Sequence, residues 1–90
     1  MTIIIYVSSI SASLDIKKKQ SHIESILSSK KIPFETRDIA SNEDYKKQMR
    51  RGSGGNTIPP QIFKGEEYLG DYDAFENAVE CEILSEFLRL

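Results

Sequence analysis

Ile3-Ile4-Ile5-Tyr6-Val7 is an unbroken β-branched and aromatic run, the pattern of a central strand buried on both faces. Beyond the polar stretch Ser8 to Ser13, apolar positions recur at helical spacing through Leu14, Ile16, Ile23, Ile26 and Leu27, with Gln20 on the same stripe. They predict a helix to about Lys30, and Ser13 or Asp15 can cap its start. Pro33 punctuates the chain. Ile32, Phe34, Thr36 and Asp38 then alternate with Glu35, Arg37 and Ile39 as a second strand. Strand, long helix and strand make a βαβ unit, whose right-handed crossover sets the two strands parallel.

Ser41, with Asp44 three residues on, resembles a capping box and opens a second helix that turns Tyr45 and Met49 inward. That helix ends in Gly52-Ser53-Gly54-Gly55. Gln61-Ile62-Phe63 and Glu67-Tyr68-Leu69 flank Lys64-Gly65-Glu66 as a β-hairpin. A helix from Asp71 to about Glu80 follows, then a short one whose inward stripe is Ile83, Leu84, Phe87 and Leu88. The predicted order is β-α-β-α-β-β-α-α, an α/β fold with a four-stranded mixed sheet and helices on both faces.

Composition changes this picture mainly by exclusion. Ninety residues make one domain, residues 1–90, with no room for a second core. A hydrophobic fraction of 39% and a charged fraction of 29% are those of an ordinary globular protein. The net charge of −2 argues against nucleic acid as a partner. The clusters Lys17-Lys18-Lys19, Lys30-Lys31, Lys46-Lys47 and Arg50-Arg51 read as solvated helix faces. No run approaches the roughly 18 apolar residues of a membrane span. The single cysteine, Cys81, forms no internal disulfide or CxxC pair, which points to a reducing intracellular compartment. His22 has no histidine or cysteine near it in sequence, so no metal site is expected.

The stretch from Asn56 to Phe75 carries the candidate site. Thr57-Ile58-Pro59-Pro60-Gln61-Ile62-Phe63 enters the third strand through a double proline, and Gly70-Asp71-Tyr72-Asp73 opens a helix. These segments, in this element order, resemble the thioredoxin superfamily and glutaredoxins in particular. The resemblance places Pro60 at the family's cis-proline position, where outward-facing backbone groups pair with glutathione. It also implies a reactive cysteine after the first strand, where this chain has Ser8-Ser9-Ile10-Ser11-Ala12-Ser13. A serine hydroxyl cannot supply the thiolate that disulfide exchange requires, so no catalytic residue is expected.

A closer resemblance covers the whole chain. The serine-rich loop, Ile16-Lys17-Lys18-Lys19-Gln20, Asp38-Ile39, Pro59-Pro60-Gln61-Ile62, Gly70-Asp71-Tyr72 and Glu86-Phe87-Leu88 are together similar to the SH3-domain-binding glutamic-acid-rich protein-like family. The resemblance implies a thioredoxin/glutaredoxin-like fold without enzymatic activity, a cytoplasmic and nuclear location, and a role as an adaptor or modulator of glutaredoxin. It implies a binding groove at Thr57, Ile58, Pro59, Pro60, Gln61, Gly70, Asp71, Tyr72 and Asp73.

The groove's expected occupant is a segment of a protein partner, held by a monomer without a cofactor or a membrane. Glutathione is disfavoured because Asp71 can cap the helix N-terminus itself and would repel a carboxylate. An SH3-type partner would lack the first proline of its motif, since Thr57 stands three residues before Pro60. An EVH1-type partner would find Pro59, Pro60 and Phe63 in place, with strand residues between them. The alternative is a glutathione-binding redox accessory or sensor using Cys81, whose thiolate Glu80 and Glu82 disfavour.

Overall fold

The structure, a computed structural model, describes residues 2–10 and 13–90, so Ser11 and Ala12 of the serine-rich loop lie outside the described residues. Four strands, β1 (Ile3–Val7), β2 (Phe34–Asp38), β3 (Gln61–Lys64) and β4 (Glu67–Asp71), form one sheet in the order β2-β1-β3-β4. β1 runs parallel to β2 and antiparallel to β3, and β3 runs antiparallel to β4, so the sheet is mixed as predicted. Helices α1 (Leu14–Ser29), α2 (Glu43–Gly52), α3 (Tyr72–Glu80) and α4 (Leu84–Phe87) complete the order. No helix among the described residues is long and apolar enough to cross a membrane.

Alternation along the central strands sends side chains to two separate cores. Ile3, Ile5 and Val7 of β1 join Ile62 of β3 beneath α1, α3 and α4, against Ile23, Leu27, Phe75, Ala78, Leu84 and Leu88. Ile4, Tyr6 and Phe63 face the other way, onto Met49 of α2. β1 is buried at all five positions because both of its faces are covered.

Three details differ from the sequence reading. Asn42, not Ser41, caps α2: its side chain accepts from the Asp44 amide at 2.9 Å. Ser41 is instead engaged in the turn before it, donating to the Asp38 carbonyl at 3.2 Å. Leu14 and Ile83 are exposed, at 66% and 44%. Leu14 sits in the first turn of α1, where helical side chains lean back toward the N-terminus and beyond the sheet. Ile83 precedes α4 and lies outside its apolar stripe.

Two polar side chains fix the loop that follows β1. Gln20 of α1 accepts from the Ser8 amide at 2.8 Å and donates to the Ser8 carbonyl at 3.3 Å. One strand-like pair of hydrogen bonds is thereby supplied by a nearly buried side chain. Asp38, at the end of β2, accepts from the amides of Ser9 and Ala40 at 3.1 and 2.9 Å. The Ser9 hydroxyl, then the amides of Ala40 and Ser9, hold its carboxyl below the usual carboxylate range against the opposing effect of burial.

A depressed folded value means the ionised carboxylate stabilises the fold at neutral pH. That contribution disappears as pH falls below about 4 and through the folded value. Asp38→Asn should therefore flatten the acid limb of a plot of urea midpoint against pH, and an unchanged limb would remove Asp38 from the acid response.

Candidate functional site

The third strand and the third helix meet at one end of the sheet, and a cleft of about 170 Å³ opens between them and α1. Ile58, Pro59 and Pro60 form one wall, Asp71, Tyr72 and Asp73 a second, and Ile16 and Lys19 of α1 a third, with Asn56 completing the lining. The Pro59–Pro60 peptide bond is cis. Six of the nine groove residues expected from the sequence thus converge on one cleft.

The other three have different work. Thr57 is exposed outside the lining. Gln61 is fully buried, and its Nε2 donates to the carbonyls of Asn56 and Ile58 at 3.0 and 3.2 Å, tying the proline loop down from beneath. Gly70 is buried under the helix that follows: a Cβ there would meet the Ala74 Cβ at 2.9 Å and the Phe87 ring at 3.0 Å. Gly70 is therefore a packing glycine. Gly70→Ala should cost about 1–3 kcal/mol of stability by overpacking, read as a lower urea midpoint with an unchanged slope.

Ile16 and Lys19 were missed by the sequence reading, and Asn56, the first residue of the candidate stretch, was not named as lining. Ile16 and Lys19 are three apart on α1 and so share a helix face, which was the available signal. The identity of that face depends on tertiary placement.

The backbone of the proline wall is less open than its position suggests. The Ile58 amide donates to Asn56 Oδ1 at 3.0 Å, and the Ile58 carbonyl is held by Gln61. Pro59 has no N–H to offer, only a carbonyl. An extended peptide cannot form a full strand ladder here. It finds acceptors, not donors.

The opposite wall is self-occupied in the same way. Asp71 is the N-cap of α3, its carboxylate accepting from the Ala74 amide at 3.0 Å. This places a negative charge where the free N–H groups and positive dipole end of a helix would otherwise attract an anion. Asp73 adds a second carboxylate beside it, and Lys19 is paired with Asp15 at 3.2 Å, which raises its pKa.

Tyr72 is the cleft's aromatic surface. Burial, then the neighbouring Glu76 carboxylate, push its phenol up, so it stays a neutral donor, bonded to Glu76 at 3.3 Å. His22 of α1 reaches the same Glu76 oxygen at 3.0 Å, which ties α1 to α3 behind the cleft. Among the described residues, no three metal-ligating side chains converge.

Cys81 is exposed and is the C-cap residue of α3. The nine residues of that helix separate it from the cleft by about 13 Å. Of the proline motif, Pro59 is half-buried, while Pro60 and Phe63 are buried. Phe63 lies in the α2-side core, so no partner can read the complete motif on the folded surface.

Comparison with known proteins gives a consistent picture. A model of the SH3-binding, glutamic acid-rich protein family matches residues 1–90. The C. albicans actin interacting protein Aip5 is similar at 29% identity, with a TM-score of 0.81 over 97% of this chain and 87% of that one. Glutaredoxin C1 from Populus tremula x tremuloides shares the fold at 12% identity and a TM-score of 0.71, over 97% and 82%. The glutaredoxin from Brucella melitensis shares it at 24% identity and 0.69, over 98% and 88%.

Proposed function

Because the chain belongs to the SH3-binding, glutamic acid-rich protein family, we propose that it is a non-catalytic thioredoxin-fold adaptor whose cleft between Pro60 and the α3 N-terminus takes a segment of a protein partner. The observation that carries this reading is the Asp71 carboxylate seated on the Ala74 amide, which fills the anion position from within. A ligand anchored by its own carboxylate meets a like charge there.

What remains is an apolar and acceptor-rich surface. Ile58 is 65% exposed, Pro59 is half-buried, and Tyr72 presents a neutral ring with Lys19 Nζ 5.3 Å from its centroid. Asp71 and Asp73 favour a neutral or basic segment. The occupant is thus a short apolar stretch of polypeptide whose donors reach the Pro59 carbonyl, and no covalent step is involved.

The first partners to test follow from the relatives. Aip5 is an actin interacting protein by name, so actin co-sedimentation is one assay, and capture by a glutaredoxin is the other. The protein acts in the cytoplasm and nucleus, as a monomer, without nucleic acid or membrane. An SH3-type contact is restricted to the exposed Thr57 and Ile58 and the half-buried Pro59.

Amide NMR titration with reduced glutathione to millimolar concentration tests the reading. No saturable shift is expected at Thr57, Ile58, Gln61 or Gly70 through Ala74. Saturable shifts confined to those amides would overturn it in favour of a glutathione-binding redox accessory. That second reading must also use Cys81, at the far end of α3 from the cleft.

A further inference from the structure

The strand order β2-β1-β3-β4 leaves β2 and β4 as the edges of the sheet. In β2 the direction of each backbone group follows from one bond. Ile39, just beyond the strand, donates to the Val7 carbonyl at 2.9 Å, so its amide faces β1. By alternation Glu35 and Arg37 face β1 as well, while Phe34, Thr36 and Asp38 direct their N–H and C=O groups outward. Of these outward groups, the Asp38 carbonyl accepts from the Ser41 hydroxyl at 3.2 Å. Glu35 and Thr36 are exposed, and no strand among the described residues pairs with this side. A bare edge is a template for another strand.

The side chains of β2 say which strand fits. Glu35 and Arg37 stand together on the α2 face. Arg37 is fixed there: its Nη1 donates to Gln48 Oε1 at 2.9 Å and to the Tyr6 hydroxyl at 3.2 Å, while its Nε binds the Glu35 carboxylate. Set antiparallel to itself about Thr36, the strand places Glu35 opposite Arg37 of a second copy, and Arg37 opposite that copy's Glu35. Thr36 then meets Thr36 as a pair that exchanges both backbone bonds. The charged pairs fall at the non-hydrogen-bonded positions, where Cα atoms are about 4.5 Å apart and side chains are closest. The neighbouring two-fold registers set Glu35 against Glu35 or Arg37 against Arg37. The other edge lacks this pattern, since an antiparallel self-pair of β4 about Leu69 opposes Glu67 to Asp71.

We propose that β2 is a self-pairing edge, through which two copies of the chain join their sheets about a two-fold axis at Thr36. The occupant is a second copy because the acid-neutral-base order of Glu35, Thr36 and Arg37 is its own complement when reversed, which is what an isologous contact requires. One group opposes it. Glu24 of α1 accepts from the Thr36 hydroxyl at 3.4 Å, so the pair brings its carboxylate toward that of the second copy. With a short ladder and that repulsion the pair is weak and forms as concentration rises. No β2 residue lines the proline cleft. One copy therefore suffices for the function proposed there, and the two readings stand or fall separately.

The test is sedimentation velocity of the intact protein from about 10 µM to 1 mM, with amide NMR spectra over the same range. The average sedimentation coefficient should rise with concentration, and amide shifts should centre on Glu35, Thr36 and Arg37. Glu35→Lys, at a side chain 48% exposed, should weaken the pair about tenfold or more, because two attractive cross-strand pairs become repulsive. Arg37→Glu should do the same, and an equimolar mixture of the two variants should pair again, since every position then faces its opposite charge. Glu24→Gln should tighten the pair a few-fold. If Arg37→Glu loses its folded spectrum, the opposite effects of Glu35→Lys and Glu24→Gln decide. A single species at every concentration, self-association indifferent to Glu35→Lys, or shifts centred on α2 or the proline cleft would each overturn the assignment.

Discussion

Phe63→Ala is expected to remove about 3–5 kcal/mol of stability, the range for emptying a buried aromatic site. Phe63 is 1% exposed and sits between Tyr6 and Tyr68, with ring centroids 4.9 and 5.4 Å away, both edge to face. Its core is small. Ile4, Tyr6, Met49 and Phe63 are the buried residues of the α2 side, so the cavity has few neighbours able to collapse into it.

Total stability for a domain of this size is on the order of 5–15 kcal/mol, so the loss is a large share of it. The urea midpoint should fall steeply, and amides of α2 should lose hydrogen-exchange protection before those of α1. Ile58→Ala, at a position 65% exposed, is the matched control and should stay within about 0.5 kcal/mol. A Phe63→Ala loss under 1 kcal/mol would mean the α2-side core does not hold the sheet. The same number bears on recognition: a partner that reads Pro59, Pro60 and Phe63 together must first extract Phe63, at a cost of about the same 3–5 kcal/mol.

The fold was legible because its signals are local. Ile3 to Val7 reads as a doubly buried strand without any knowledge of what covers it, and Asp71 before Tyr72 reads as a cap from residue type alone. The cleft was legible only in part, since its third wall is set by how α1 lies across the sheet. Nothing in Ile16 or Lys19 as residues marks them as groove lining.

Gln61 and Gly70 show the opposite failure. Both flank groove residues in sequence, yet strand alternation turns Gln61 beneath the loop, and the crossing of β4 into α3 buries Gly70 against Phe87. The Arg37–Tyr6–Gln48 cluster was invisible because its members come from β2, β1 and α2. Register alone brings Tyr6 opposite Arg37.

Replacing Asp71 by glycine should convert the cleft into an anion site. Asp71→Gly removes the carboxylate that accepts from Ala74 and leaves that N–H at the positive end of α3 without its internal partner. Glycine is itself a tolerated N-cap, so the stability cost should be only a few tenths of a kcal/mol, against about 1 for alanine. The electrostatic change is larger. Two unit charges about 4 Å apart repel by about 1 kcal/mol at bulk-water dielectric and about 4 at the effective dielectric of a protein surface.

Removing that repulsion should therefore tighten reduced glutathione by about tenfold or more, bringing into range a titration that is silent in the parent protein. The gain should shrink with added salt, because the cleft is open to solvent. Asp73→Asn is the informative comparison, since it removes a neighbouring charge while leaving the cap in place. If it matched Asp71→Gly, general acidity of the cleft would be the barrier, and the cap would carry no special weight. If neither variant bound glutathione, the obstacle would be the proline wall, where Pro59 has no N–H and the Ile58 amide is already bound to Asn56.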